Sequence, residues 1–147
     1  MIGWRVGWVV GPAAVLADIR LVGLTNVVCQ VGLAQAAVAA ALSDPGVDDD
    51  IAAATAEWHR RCATVLRELA GYPVIPPHGG WSLLLDAAPL GFSAADLSHR
   101  LFHRAKVAAT PMDGWGPSGS RYLRIVFANE PVERLNGLAE RFREAIG

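Results

Sequence analysis

Lysine is nearly absent: Lys106 is the only one in 147 residues, against 12 arginines. Any chemistry that needs a lysine amine rests on that residue or on none. Cysteine occurs twice, at Cys29 and Cys62, too few for a disulfide scaffold. Both are expected to be free thiols, packed as small core residues. No uninterrupted run reaches the roughly 18 apolar residues that a membrane-spanning helix needs. An excess of either charge is also missing: 13 basic and 14 acidic side chains leave a net charge of -1. A broad electrostatic footprint for nucleic acid is therefore excluded. Charged residues make up only 18% and apolar residues 52%, which excludes a disordered tail. The start, Met1-Ile2-Gly3-Trp4-Arg5, lacks the basic and apolar regions of a secretory signal, so a cytoplasmic protein is expected.

What remains is apolar and alanine-rich, with 25 alanines. The opening Trp4 to Pro12 reads as a buried strand closed by Gly11-Pro12. Residues 13–24 read as a short helix. Thr25-Asn26 offer an N-cap for a second helix to about Leu42, apolar nearly all round and therefore expected deep inside. Ser43 to Gly46 is a break. Asp48-Asp49-Asp50 suit the start of a long helix to Leu69. Its stripe is Ile51, Ala54, Trp58, Cys62, Val65 and Leu69.

From Val74 the composition changes. Two strand pieces flank Pro76-Pro77-His78-Gly79-Gly80. Ser93 and Asp96 resemble a capping box for a helix to Ala105. Residues 107–109 read as a short strand, Pro111 to Gly119 as a loop and 121–128 as a strand. One last helix opens with Pro131 at its first position and buries Val132, Leu135, Leu138, Phe142 and Ile146. Residues 73–147 thus form a small α+β unit. Residues 1–72 form three helices and one strand that lacks neighbours, a sign that part of a sheet lies elsewhere.

Most motif matches are bland in context. Gly114-Trp115-Gly116-Pro117-Ser118-Gly119 fits G-x-G-x-x-G by letter, but a strand follows it where a helix should open. His99 and His103 have metal-ligand spacing without a third ligand, and read as a solvated helix face. His78-Gly79-Gly80 has no G-x-S-x-G elbow to accompany it. Asp86 reads as a turn cap. Two arginines stand out. Arg5 sits in an apolar segment beside Gly7, where a ligand could approach closely, and needs an anion: a phosphate, a carboxylate or one of the chain's own acids. Alternation places Leu123, Ile125 and Phe127 on the core side of the last strand and Arg124 on the other. A guanidinium fork on a rigid strand suits a carboxylate; an exposed edge is the ordinary alternative. Arg121, at the strand's mouth, is expected in solvent.

These residues carry a resemblance. Gly3-Trp4-Arg5-Val6-Gly7-Trp8-Val9-Val10-Gly11-Pro12 resembles the segment after the Schiff-base lysine of class I/II aminotransferases, which are fold-type I enzymes dependent on pyridoxal 5'-phosphate (PLP). Gln35-Ala36-Ala37, Gly79-Gly80-Trp81 and Tyr122 to Ala128 follow in the family's order. The resemblance covers essentially the whole chain and implies the C-terminal portion of such an enzyme: an α/β fold with an α+β small domain, the large domain incomplete. It implies that residues 1–72 are the remnant of the PLP-binding domain plus an interdomain helix, and that residues 73–147 are the small domain. It implies that Arg5 binds the PLP phosphate, that Arg124 binds the α-carboxylate of an amino acid or 2-oxo acid, and that Gly79, Gly80 and Trp81 lie near the substrate entrance. The parent is implied to be a homodimer.

The family's lysine, its aspartate for the pyridine nitrogen and its stacking aromatic residue precede the position of Arg5. Lys106 matches no catalytic position, so the isolated chain is expected to be inactive. Pro111-Met112 stands where the family usually has Pro-Gly, while Trp115-Gly116 resembles its aromatic-Gly pair. Three other readings remain: the ligand-sensing domain of a transcriptional regulator, a lyase or decarboxylase of the same fold, and a non-catalytic binding module.

Overall fold

The computed structural model describes residues 2–147, which divide into two compact units, the first ending at Ala52 and the second running from Ala53 to Gly147. The first unit contains α1 (Ala13–Val27), α2 (Gly32–Leu42) and the start of α3 (Val47–Glu68). The second contains the rest of α3, then β1 (Val74–Ile75), β2 (Ser82–Asp86), α4 (Ala94–Ala105), β3 (Thr110–Pro111), β4 (Tyr122–Val126), α5 (Val132–Leu135) and α6 (Leu138–Ile146).

The first unit departs most from expectation. No strand forms over residues 4–10. A single 3-10 turn covers Ile2–Trp4, extended chain follows, and Arg5 adopts a left-handed φ of 56°. A strand is defined by its ladder, and no described residue offers one to this segment. Its apolar side chains stand in the open, with Trp8 69% and Val10 89% exposed. Thr25 and Asn26 do not cap α2 but lie in the last turn of α1, where the Thr25 hydroxyl donates to the Leu21 carbonyl at 2.6 Å. That local bond replaces the capping role. α2 starts at Gly32 with no side-chain cap, and only Ala34 on it is buried. Deep burial of this helix is not observed, and Cys29 is exposed rather than packed in a core.

The second unit follows its sequence closely. Its antiparallel sheet has the order β1-β2-β4-β3. β2 and β4 pair over five residues, with Leu83 opposite Ile125, Leu84 opposite Arg124 and Leu85 opposite Leu123. Leu83, Leu85, Leu123, Ile125 and Phe127 are buried together on one face. Leu97 and Leu101 of α4, Leu138 and Phe142 of α6, and Val65 and Leu69 of the α3 end complete the core. Tyr72 meets Phe142 edge to face at 5.3 Å. The α3 stripe is thus buried only in its second half; Ile51 and Trp58 are exposed.

Local chemistry sets the helix ends. Ser93 Oγ accepts the Asp96 N–H at 3.1 Å and donates to the Asp96 carboxylate at 2.7 Å, capping α4 as its sequence predicts. At the far end Lys106 turns left-handed, with φ of 56°. The Val107 N–H then donates back to Leu101 at 3.0 Å, and the Ala109 carbonyl accepts the Ser98 hydroxyl at 2.7 Å. The helix therefore occupies the groups that a strand at 107–109 would need, and β3 forms only at Thr110–Pro111. The single last helix is broken at Asn136-Gly137, and Pro131 stands just before α5 rather than inside it. The Glu68 carboxylate caps α6 by accepting the Gly137 N–H at 2.9 Å and that of Ala139 at 3.4 Å. These backbone donors hold the Glu68 carboxyl below its usual range.

Candidate active site

Each unit carries one of the two arginines singled out by sequence, Arg5 in a cavity lining and Arg124 between two aromatic rings. In the first, Arg5, Gly7, Trp8, Gln30, Gln35 and Leu42 line a cavity of about 410 Å³. That size falls within the range of small-molecule pockets. Among the described residues Arg5 is the only charged one in the lining, and Gln30 and Gln35 add neutral amides. Nothing lies within 4 Å of where a side chain on Gly7 would start. A cation with neutral donors and no competing carboxylate suits a phosphate or carboxylate. Arg5 is exposed, so burial does not oblige it to find an anion, contrary to expectation. Gln30 was not singled out in the sequence; nothing in its local pattern marks it.

In the second unit the site is built on β4. Pairing with β2 and packing of Leu123 and Ile125 fix the strand, and alternation turns Arg124 to the opposite face. The Arg124 Nε is buried and has no hydrogen-bond partner. Its guanidinium carbon lies 5.1 Å from the Trp81 ring centre and 5.3 Å from that of Trp115. The Trp81 carbonyl accepts the Phe127 N–H at 3.2 Å and the Ala128 N–H at 3.4 Å, which ties its loop to the end of β4. Gly80, with φ of 83°, makes the turn into Trp81. Gly79 and Gly80 also line a second cavity of about 260 Å³ with Trp58, Cys62, His78 and Phe127. Burial pushes the Cys62 thiol up, which makes it a poor nucleophile.

The neighbouring cation is already engaged. Arg121 is not simply solvated: its Nε donates to both Asp86 oxygens, at 2.7 and 2.8 Å. This guanidinium holds the Asp86 carboxyl below the usual carboxylate range. Asp86 also accepts the Ala88 N–H at 3.1 Å, the turn-capping role its sequence suggested. Arg121 thus has its anion, whereas Arg124 has none among the described residues. A buried donor left unpaired is costly, and an anion would relieve that cost.

His99 and His103 stack at 4.2 Å on an exposed face, and no group of three possible metal ligands exists among the described residues. Gly114 to Gly119 forms turns. Lys106 donates through Nζ to the His103 carbonyl at 3.0 Å.

The fold matches solved enzymes. An aromatic aminotransferase from Pyrococcus horikoshii superposes with a TM-score of 0.84 and 28% identity, over 97% of this chain and 38% of that one. Aspartate aminotransferase of Thermus thermophilus, solved with maleate, gives 0.83 and 26%, over 99% and 38%. The structure is therefore a partial fold-type I domain, with helices and a small antiparallel sheet. The chain belongs to the class I and II aminotransferases, whose family model matches residues 1–142. Among curated relatives, an arginine–pyruvate transaminase of Pseudomonas aeruginosa is 34% identical over 90% of this chain. An aspartate aminotransferase of Pyrococcus abyssi is 28% identical over 99%. The chain spans 34% and 38% of those relatives' lengths. Enzymes of this family depend on PLP. No helix is long and apolar enough to cross a membrane among the described residues.

Proposed function

We propose that the chain is the C-terminal part of a PLP-dependent aminotransferase that moves an amino group between an amino acid and a 2-oxo acid. Residues 1–72 are then the remnant of the large domain with its interdomain helix, and residues 73–147 are the small domain. The whole enzyme is a homodimer. Two free cysteines fit a reducing, cytoplasmic setting.

Arg124 binds the α-carboxylate common to both substrates. The observation that carries this reading is its buried, unpartnered Nε on a rigid strand. Arg5 holds the PLP phosphate, supported by a cavity in which it is the sole charge among the described residues. Gly80 and Trp81 lie at the substrate entrance. When bound, PLP supplies the electron sink for chemistry at the substrate's α-carbon. This chain's own contribution is to bind and orient the two anions, which arginine does well. Arginine stays protonated at neutral pH and cannot act as the amine base. Lys106 caps α4 and donates to a backbone carbonyl. The 147-residue chain on its own therefore does not transaminate.

Pyruvate, a small 2-oxo acid, is the probe. Titration followed by the Arg124 Nε–H resonance should show binding, and Arg124→Gln should weaken it at least about tenfold, as loss of a charged hydrogen-bond pair would. Equal binding by both proteins would overturn the assignment of Arg124. Amino-group transfer by the 147-residue chain would overturn the argument from lysine.

A further inference from the structure

We infer that Trp81 and Trp115 are positioning residues: together they bracket the Arg124 guanidinium, keep water from its Nε and hold its donors ready for a carboxylate. This rests on the reading of Arg124 as the carboxylate site.

Two aromatic rings lie near a single cation, at 5.1 and 5.3 Å from its carbon. Both distances are within the roughly 6 Å at which a ring face attracts a guanidinium. Neither ring accepts a hydrogen bond in the way a carboxylate does. They hold the cation without occupying its donors, and the Nε stays buried and free. Arg121 makes the contrast. Its guanidinium lies 5.7 Å from the Tyr122 ring, and its donors are taken by Asp86. An aromatic bracket preserves binding capacity where an acidic partner would consume it. Excluding water from the Nε also strengthens its attraction for an anion.

The two rings are held differently. Trp81 is anchored by its carbonyl, which receives two backbone donors from the end of β4. Trp115 is 66% exposed and sits at the tip of the 112–119 loop. That loop is closed at its base. The Met112 N–H donates to Tyr122 and the Trp115 N–H to Met112, each at 3.0 Å. Gly119 is buried against the loop's start, where a Cβ would stand 2.1 Å from the Met112 carbonyl oxygen. Only glycine fits that approach without moving the loop. Gly119 therefore helps set where Trp115 stands.

The test compares the wild-type chain with Trp115→Ala, Trp115→Phe and Gly119→Ala. Two signals are read: pyruvate affinity, and the chemical shift of the Arg124 Nε–H without ligand. Ring currents should shift that resonance in the wild type. Trp115→Ala should remove much of the shift and weaken pyruvate roughly three- to tenfold. Phenylalanine should restore most of both. Gly119→Ala should follow Trp115→Ala, since it displaces the ring without deleting it. A helix and sheet amide spectrum matching the wild type shows that the fold persists. If pyruvate binding is lost in Arg124→Gln but unchanged in Trp115→Ala and Gly119→Ala, the bracket is wrong and the carboxylate reading stands. If the wild type binds no pyruvate, the carboxylate reading falls and takes the inferred role with it. An Nε–H shift indifferent to Trp115→Ala overturns the bracket whatever pyruvate does.

Discussion

The two units have similar appetites for burial and different outcomes. In the first, α1 and α2 are rich in Val, Leu, Ile and Ala, yet Ala34 is the only buried apolar residue described there. In the second, α4 and α6 are more polar, yet each buries a continuous stripe. Segregation, not total hydrophobicity, decides which helix can build a core from its own chain. A helix apolar on all sides needs neighbours on all sides. Trp8, Val10, Leu24 and Leu33 are accordingly all exposed. The comparison also bears on function. The arginine in the packed unit is held by its surroundings, whereas the one in the open unit is exposed.

Hydrogen exchange should separate the units most. Amides in β2, β4, α4 and α6 should exchange roughly a thousandfold more slowly than those of α1 and α2, because opening the first unit exposes little new surface. Equal protection in both would break the comparison, since it would require a covered first unit. Next in size is a core truncation. Phe142→Ala should cost about 3–5 kcal/mol in chemical denaturation, given that its ring is fully buried against Tyr72. Leu24→Ala, an exposed apolar position in α1, should change stability by less than about 0.5 kcal/mol.

The difference between units also explains what could be read in advance. The second unit's structure is encoded locally: Ser93 with Asp96, the alternation around Arg124, and the glycines before Trp81. Even there, features set at a distance escaped. The break at Asn136-Gly137 depends on Glu68, 69 residues earlier in sequence. The failed strand at 107–109 depends on how α4 ends. The ion pair of Arg121 spans 35 residues. In the first unit the residues around Trp4 and Trp8 have the composition of a strand, but a strand's ladder is not local, and none forms. The proposed anion sites were half legible. Arg5 and Arg124 stood out as cations in apolar surroundings, while the second ring beside Arg124 comes from a loop whose position only the fold defines.

Acid should act chiefly on the second unit. Hydrogen bonds from Arg121 lower the Asp86 carboxyl, and those from Arg61, then Arg60, lower that of Glu57; backbone donors lower Glu68. Folding therefore favours the charged form of each. Their stabilisation is complete above the ordinary carboxylate range and fades as pH falls through the lower folded-state values. Denaturation midpoints should be flat from pH 7 to about pH 5 and drop below about pH 4. Asp86→Asn should shrink that drop. A fall that begins above pH 6 would point to histidine and contradict this account.

The smallest contrast is between two hydroxyls, one in each unit. Ser93 satisfies a backbone donor at the start of α4 that no helical carbonyl can reach. Ser93→Ala should therefore cost about 1 kcal/mol and loosen exchange across the first turn of α4. Thr25 makes a shorter bond, at 2.6 Å, but to a carbonyl inside its own helix. That carbonyl is served by the backbone or by water without it, and threonine is a weaker helix former than alanine. Thr25→Ala should then be neutral or slightly favourable for α1 helicity, read by the change in helical circular dichroism. If Thr25→Ala instead costs as much as Ser93→Ala, α1 is held by more than its own backbone, and the first unit is better supported than its exposed surface implies.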